Sequence, residues 1–232
     1  MTNDEMDQLI ATWQPNYVDV GTSFRESLNT VITPESVLLD IGCGRQTSFE
    51  DIYKKAKHRI GVDIDEYAKE NTLMDEVVIC DAGKLPFPNQ SFDVVTAQWI
   101  MEHISDPVAF AQEVTRVLKP GGAFIFMTPN ARSPFVIATR FFPTSIKQKL
   151  RTWILGFADD ETFPTFYRLN DAATIENLFK AAGAKGMTSS HHDCYGYFRF
   201  SKIVTFLVLM FYQLVNRVSN HRQHHLVGVV RT

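Results

Sequence analysis

One short stretch, VLLDIGCG at residues 37–44, narrows the choice of fold more than any other part of the chain. It is an apolar run that leads directly into an acid and two closely spaced glycines, and a second apolar run, residues 59–62, ends in Asp63. Glycines let the backbone approach a ligand closely, and an acid about 20 residues further on can accept hydrogen bonds from both hydroxyls of a ribose. The spacing predicts a strand, a turn and a helix that hold an adenosine, although a tight turn without a ligand gives the same short pattern.

Further apolar runs follow at regular intervals. Residues 77–82 (VVICDA) place an acid at the end of a third run, where a carboxylate can accept from an adenine amino group. Residues 91–97 (SFDVVTA) form a fourth run, and residues 116–126 (RVLKPGGAFIF) are typical of a helix end, a glycine turn and a fifth strand. The predicted strands are 37–41, 59–63, 76–80, 92–97, 122–128, 184–190 and 226–230, and the predicted helices are 9–30, 47–57, 66–72, 106–118 and 171–183. This alternation predicts a parallel sheet with helices on both faces.

In this order and spacing the segments resemble the class I S-adenosylmethionine-dependent methyltransferases, and among them the small enzymes that include quinone-biosynthesis C-methyltransferases. The resemblance covers residues 13–130 well and residues 167–232 more loosely. It implies an α/β fold with a Rossmann-like, doubly wound sheet of seven strands, the last one antiparallel, and a helical lid insertion. It also implies S-adenosyl-L-methionine as cofactor and S-adenosyl-L-homocysteine as product.

The resemblance also assigns roles at the strand ends. The glycine turn would line the methionine end of the cofactor, the acid after the second strand would accept from the ribose, and the acid after the third would contact the adenine edge. The predicted cofactor-binding residues are Asp40, Gly42, Cys43, Gly44, Asp63, Ile64, Asp81, Ala82 and Gln98. For Asp40 and Asp81, capping of a turn at a strand end is the alternative.

One position departs from the family pattern, because Gln46 stands where a third glycine usually follows Gly44. This departure puts tight packing of the next helix in doubt, but not cofactor binding. The bulky pair Arg45 and Gln46 also crowds the helix start where a pyrophosphate would rest, which argues against a dinucleotide oxidoreductase.

The acceptor side is expected to follow the fourth strand, at residues 98–103 (QWIMEH). This segment lacks the Asn/Asp-Pro-Pro-aromatic signature of enzymes that methylate nucleobase amines or glutamine amides. His103 is the candidate catalytic base, and its alternative is a structural histidine bonded to a backbone group. No metal is predicted, since His191, His192 and the histidines at 221, 224 and 225 lack companion ligands, and a solvated loop is the expectation for them.

Two segments carry an unusual charge pattern. Residues 130–158 and 194–232 together contain ten basic residues and no acid, which leaves 13 basic against 26 acidic residues elsewhere. The second segment includes an apolar helix predicted near 201–217, which is too short to cross a bilayer but has the aromatic and basic flanks of an interfacial helix. We expect an apolar or lipid-linked acceptor taken at an anionic membrane surface; the alternative is that this helix is buried or closes a homodimer. A pI near 6.2 argues against nucleic acid as a partner.

The 232 residues, 45% hydrophobic and 21% charged, suit one α/β domain. The predicted parts are a helical cap (1–33), a cofactor-binding core (34–129), a lid (130–168) and a C-terminal part (169–232). An acidic, polar start and three unpaired cysteines favour a cytoplasmic protein, or one at the periphery of the inner membrane surface. The predicted function is methyl transfer to oxygen or carbon of a small hydrophobic or lipid-linked acceptor; a catalytically weak methyltransferase-like partner module is the second interpretation.

Overall fold

The computed structural model describes residues 3–45, 48–140, 163–193, 195, 201–218 and 222–232. The departing residue Gln46 and most of the predicted lid therefore lie outside the described residues. The helices and strands are α1 (Asn3–Trp13), α2 (Val20–Asn29), β1 (Val37–Ile41), α3 (Glu50–Tyr53), β2 (His58–Asp63), β3 (Glu76–Ile79), β4 (Phe92–Gln98), α4 (Pro107–Val117), β5 (Leu118–Pro129), α5 (Pro134–Arg140), α6 (Ala172–Ala181), β6 (Gly186–His192), α7 (Lys202–Val218) and β7 (His225–Arg231). Two 3-10 turns, Glu66–Glu70 and Met101–His103, follow β2 and β4.

The seven strands form one sheet in the order β3-β2-β1-β4-β5-β7-β6. β1 pairs in parallel with both β2 and β4, so the order reverses between β1 and β4. β7 runs antiparallel to β5, since Gly121 N–H donates to Thr232 O at one end of the pair and Asn130 N–H donates to His224 O at the other. The predicted Rossmann-like mixed sheet is confirmed. In open sheets of this kind a ligand binds beyond the carboxyl ends of the strands at the reversal point.

Three predicted helices differ from the structure. The helix predicted over 9–30 is two helices, α1 and α2, because Pro15 lacks an N–H and disfavours helical backbone before it. Of the helix predicted over 47–57, the described residues 48–57 are helical only at Glu50–Tyr53. Bonds such as Lys55 N–H to Ile52 O then tighten the chain into i→i−3 turns. The helix predicted over 66–72 is a 3-10 turn capped by Asp65, whose side chain accepts from Tyr67 N–H.

The chain divides into two compact units, each described separately below. The sheet unit comprises residues 21–128, 165–190 and 227–232, and the helical unit comprises residues 1–20, 129–164 and 191–226. In the sheet unit, Phe124 stacks on Phe179 with ring centroids 5.2 Å apart, and Phe110 meets both rings edge-on. This aromatic cluster holds α4 and α6 against the sheet and keeps its strand ends in place.

The helical unit is organised around α7. Its inner face places Leu209 and Tyr212 in a buried cluster with Ile10 and Tyr195. Its outer face is exposed and apolar; the exposed residues are Ile203, Leu207, Met210, Phe211 and Leu214. None of the helices that the structure describes is both long and apolar enough to cross a bilayer.

Candidate functional site

The turn after β1 is built around two glycines with positive φ. Gly42 has φ +73°, and a Cβ at this position would lie 2.8 Å from Cδ1 of Ile100. Gly44 has φ +50°, and none of the described residues lies within 4 Å of the place where its Cβ would be. The first glycine is therefore required by the protein's own packing, whereas the second leaves open space at the carboxyl edge of the sheet, as a bound ligand needs.

Asp63, at the end of β2, faces this turn. One carboxylate oxygen, Oδ2, accepts from Gly44 N–H at 2.9 Å, and the other, Oδ1, accepts from Asp65 N–H at 3.0 Å. Each oxygen of an ionised carboxylate accepts about two hydrogen bonds, so each keeps capacity for one more donor. Two neighbouring acceptors held in fixed positions fit the two adjacent hydroxyls of a ribose.

Ile64 and Asp81 lie on the β2 and β3 side of the turn. Ile64 is 63% exposed, which is unusual for an isoleucine and leaves an apolar surface available to an adenine ring. Asp81 is exposed, and its Oδ1 accepts from Gly83 N–H at 2.7 Å, so the turn-capping role is present. That bond uses one of the two carboxylate oxygens, so Asp81, with Ala82 beside it, still fits the adenine edge.

Asp40 lies in a buried polar network on β1. It is 2% exposed, and its Oδ1 accepts from the hydroxyl of Thr96, its register partner on β4, at 2.7 Å. The hydroxyl of Tyr53 on α3 lies 2.8 Å from Thr96 Oγ1 and 3.2 Å from the same Asp40 oxygen. Burial and, after it, the nearby Asp40 raise the pKa of Tyr53 well above its ordinary value, so the phenol keeps its proton.

Gln98, the last residue of β4, joins this network from the edge of the sheet. Its Nε2 donates to the Tyr53 hydroxyl at 3.0 Å. Tyr53 was not among the sequence-predicted residues, because an apolar-looking aromatic on a short helix is ordinarily a core residue. The signal that would have identified it, a hydroxyl opposite Asp40, arises only when α3 packs on the strands.

Cys43 is buried behind the turn, with its Sγ 2.6 Å from the position of a Cβ on Gly61. Burial first, then Asp40 and Asp63, raise the pKa of its thiol to about 12. The backbone carbonyl of Cys43 accepts from Asn71 Nδ2 at 3.0 Å. The thiol is thus a packing group rather than a ligand contact.

His103 and Glu102 share the 3-10 turn after β4. His103 is half-buried and has an interaction partner within the protein. Glu102 is buried; burial raises the pKa of its carboxyl, and its Oε2 accepts from Thr128 Oγ1 at 3.3 Å. The sequence analysis did not single out Glu102, although an acidic residue directly after the apolar Met101 could have drawn attention to it.

The histidines near the ends of β6 and β7 are not solvated, so that prediction is wrong for His192, His224 and His225, which are buried in the helical unit. His192 Nδ1 lies 2.9 Å from Val18 O, and His224 Nδ1 lies 3.2 Å from Ser133 Oγ. Burial lowers the pKa of His224 to about 4 and that of His225 well below its ordinary value. Neutral rings with backbone or hydroxyl partners can be buried, which hydropathy patterning does not reveal.

A surface cleft of about 370 Å³ lies at the opposite edge of the sheet, away from the glycine turn. Lys119 and Asp93 line it and are paired with each other at 2.8 Å. It lies at the amino ends of β1 and β4, where this class of sheet does not bind its ligand.

Comparison with known proteins agrees with this geometry. Residues 39–126, from β1 to β5, match a family model described as a methyltransferase domain. A protein of Mycolicibacterium smegmatis named a probable S-adenosylmethionine-dependent methyltransferase is 34% identical over 97 residues, 40% of this chain and 38% of that protein. The 2-methyl-6-phytyl-1,4-hydroquinone methyltransferase of Synechocystis is 31% identical over 145 residues, 56% of this chain and 46% of that protein. The chain thus spans less than half the length of these curated relatives.

A solved structure shares the fold over a larger part of the chain. This is a SAM-dependent methyltransferase from Archaeoglobus fulgidus, with a TM-score of 0.59 and 18% identity, and the match covers 90% of this chain and 92% of that one. Residues 39–126, the region that the methyltransferase family model matches, contain every carboxylate and glycine of the candidate site.

Proposed function

We propose that this chain is an S-adenosylmethionine-dependent methyltransferase, which transfers a methyl group from that cofactor to oxygen or carbon of a small hydrophobic or lipid-linked acceptor. The observation that carries the cofactor assignment is the geometry of Asp63, whose two oxygens are fixed by the backbone of Gly44 and Asp65. The exposed Ile64 offers an apolar surface for the adenine, and the open space beside Gly44 leaves room for the methionine part of the cofactor.

When bound, the cofactor supplies a methyl group that is already activated by its sulfonium, so the main task of the protein is to position the acceptor. Asp63 holds the ribose, and the glycine turn holds the chain that carries the sulfur. His103 serves as the base when the acceptor must lose a proton, a role that typically contributes about 10²–10⁴-fold to rate. Replacing His103 with asparagine should then lower kcat while leaving cofactor affinity unchanged.

The cofactor assignment is tested by calorimetric titration with S-adenosylmethionine, S-adenosylhomocysteine and NAD. Two hydrogen bonds to an ionised group are each worth about 1.5–3 kcal/mol, so Asp63→Ala should weaken binding of the first two by at least about 100-fold. Asp65→Ala is the matched control, because Asp65 is a nearby acid whose side chain caps only the following turn.

The outcomes separate the alternatives. Tight binding of both adenosyl ligands that falls in Asp63→Ala and persists in Asp65→Ala supports the enzyme. Failure of the wild-type protein to bind either ligand at millimolar concentration rejects it and favours a partner module. Tighter binding of NAD than of S-adenosylhomocysteine rejects the methyl-transfer assignment.

A hydrophobic acceptor is supported by two observations. The Synechocystis relative is named for a phytyl hydroquinone, an acceptor with a long apolar chain. The helical unit exposes the apolar outer face of α7, with Lys202 and Arg217 exposed at its two ends and no acid between them. Apolar side chains flanked by cations are typical of a helix that lies on an anionic lipid surface.

Co-sedimentation with phosphatidylglycerol vesicles tests the lipid contact. Leu207→Glu removes an apolar side chain and adds a charge that anionic lipid repels, so vesicle binding should fall at least about tenfold. Val108→Glu is the control, because Val108 is similarly exposed (51% against 58%) but lies on α4 of the sheet unit. Wild-type protein that ignores the vesicles and forms a dimer dispersed by Leu207→Glu would instead show the outer face to be a protein interface.

A further inference from the structure

Arg45 directly follows the glycine turn, and no step of the proposed function uses its side chain. Its guanidinium carbon lies 4.1 Å from the ring centroid of Tyr67, within the range of a cation–π contact. Tyr67 belongs to the 3-10 turn Glu66–Glu70 that follows β2. The contact therefore joins the loop after β1 to the loop after β2, and we call this pair of side chains, Arg45 and Tyr67, the clasp.

The clasp connects the two loops that hold the carboxylate of Asp63. Gly44 N–H donates to Oδ2 at 2.9 Å, and Arg45 is the next residue of the same loop. Asp65 N–H donates to Oδ1 at 3.0 Å, and the Asp65 side chain in turn accepts from Tyr67 N–H at 2.9 Å. Each oxygen of the ribose-binding acid is thus fixed by a backbone group that lies within two residues of one side of the clasp.

The loop after β1 needs an external restraint because its glycines do not supply one. Gly44 has a positive φ, and glycine loses more backbone freedom on folding than any other residue. Asn71, just after the 3-10 turn, restrains the loop from the buried side, where its Nδ2 donates to the carbonyls of Cys43 and Gly44 at 3.0 and 3.1 Å. On the exposed side, the clasp joins the same two loops.

Arg45 also has an ion pair with Glu70, but this contact is the weaker of the two. Nε of Arg45 lies 3.6 Å from Oε2 of Glu70, and the two side chains are 54% and 64% exposed. Solvent screens such a pair, so it contributes little. A planar guanidinium over an aromatic ring keeps part of its attraction even at an exposed site, and arginine is better suited to this stacking than lysine.

We propose that Arg45 and Tyr67 are positioning residues, which keep the two oxygens of Asp63 in the arrangement that accepts both hydroxyls of the cofactor's ribose. The inference rests on the proposed function and concerns the adenosine half of the same site. Both side chains act through Asp63 and the backbone that holds it. When the clasp is removed, a smaller fraction of the protein has the arrangement that binds ribose, and the apparent affinity falls by that fraction.

The test compares three ligands by calorimetric titration. S-adenosylhomocysteine has both ribose hydroxyls and the amino-acid end, 5′-methylthioadenosine keeps the hydroxyls without that end, and the 2′,3′-dideoxy derivative of S-adenosylhomocysteine lacks the hydroxyls. Arg45→Ala should lower the affinity for the first two ligands by the same factor, about two- to fivefold. The dideoxy derivative has no hydroxyl to donate to Asp63, so it should bind the variant and the wild type equally.

Further variants separate the clasp from other roles of Arg45. Tyr67→Leu removes the ring and should match Arg45→Ala, whereas Tyr67→Phe keeps the ring face and should bind like the wild type. Glu70→Gln removes only the exposed ion pair and should also bind like the wild type. In the Tyr67→Leu background, Arg45→Ala should cause little further loss, because both changes remove the same contact.

Unchanged affinity for S-adenosylhomocysteine in Arg45→Ala would overturn the proposal. A loss that 5′-methylthioadenosine does not share would place Arg45 against the amino-acid end of the ligand instead. An equal loss for the dideoxy derivative would show a general disruption of the site, and additive losses in the double variant would show that the two side chains act separately. Each of these results contradicts a positioning role through Asp63.

The clasp and the proposed function have separate measurements. In the ligand-free protein, the ring current of Tyr67 should shift the Nε–H resonance of Arg45 upfield, and the shift should persist in Tyr67→Phe and disappear in Tyr67→Leu. A wild-type resonance without this shift contradicts the clasp. Wild-type protein that binds none of the three ligands refutes the proposed function, whereas binding that Arg45→Ala leaves unchanged refutes only the clasp. Both side chains are about half exposed, so their replacement should not prevent folding.

Discussion

His224, one of the three buried histidines described in the helical unit, gives a quantitative prediction about stability against pH. Its side chain is almost fully buried, its Nδ1 lies 3.2 Å from Ser133 Oγ, and burial lowers its pKa from 6.5 to about 4. In the unfolded chain the same ring, His224, takes up a proton near pH 6.5. Folding therefore expels a proton between pH 6.5 and pH 4, and the stability that the neutral ring allows is lost as pH falls through that window.

The size of the effect follows from the shift. One pKa unit corresponds to about 1.4 kcal/mol, so the full window is worth about 3 kcal/mol, and about 2 kcal/mol of it is lost by pH 5. His225, whose pKa is also lowered by burial, adds a loss in the same direction. Asp193, whose pKa burial raises, works in the opposite direction, because its folded form gains a proton as pH falls.

A variant isolates the contribution of His224 from these neighbours. His224→Asn keeps an acceptor near the Ser133 hydroxyl but does not titrate, so its unfolding free energy should fall about 2 kcal/mol less than that of the wild type between pH 7.5 and pH 5. Urea unfolding followed by circular dichroism at several pH values measures this difference. His58→Asn is the control, because it removes a histidine from the surface, where the side chain is 46% exposed, rather than from the buried cluster. Parallel pH profiles for His224→Asn and wild type would refute the reasoning.

Two further predictions concern the glycine turn and its cysteine. Gly42→Ala should lower the free energy of unfolding by at least about 1–2 kcal/mol, because of the positive φ at this position and the contact with Ile100. In urea unfolding, adding Ile100→Ala should recover the part that is due to the contact but not the part that is due to the backbone. Gly44→Ala, which meets no neighbour, should cost only the backbone part yet weaken S-adenosylhomocysteine binding; equal stability costs for the two glycines would contradict this account. Cys43, with a pKa of about 12, should react with iodoacetamide at pH 8 about 1000-fold more slowly than an exposed thiol, as peptide mass spectrometry would measure, and rapid labelling would show that the turn opens.

The sheet was predictable because its signals are local. A buried parallel strand is a short apolar run, and an acid lies at or within two residues of the end of each of β1, β2 and β3. Runs and ends could therefore be located from neighbouring residues alone. The short helices were less predictable, since α3 changes to i→i−3 turns after Tyr53 under the constraint of the strands on either side.

Tyr53 and Gln98 show where local reasoning stops. Gln98 was placed in the site because it follows the predicted fourth strand, but its bond to the Tyr53 hydroxyl joins it to a buried network that spans three elements. Asp40 and Thr96 are brought together by the β1–β4 register, and Tyr53 reaches them from α3. None of these relations is periodic in sequence, so this network could not be predicted from the chain.

The exposed outer face of α7 could not be predicted from the sequence, because the helix is apolar on all sides. The structure distinguishes two faces of the helix. Leu209 and Tyr212 lie on the buried face, whereas Leu207 and Leu214 lie on the other face and are 58% and 61% exposed. A helix with one buried face ordinarily places charged residues on the other, since long apolar side chains in water gain nothing for folding. Within the helical unit nothing described covers this second face. Its composition therefore favours an apolar partner, and the vesicle assay with Leu207→Glu determines whether that partner is lipid or a second protein.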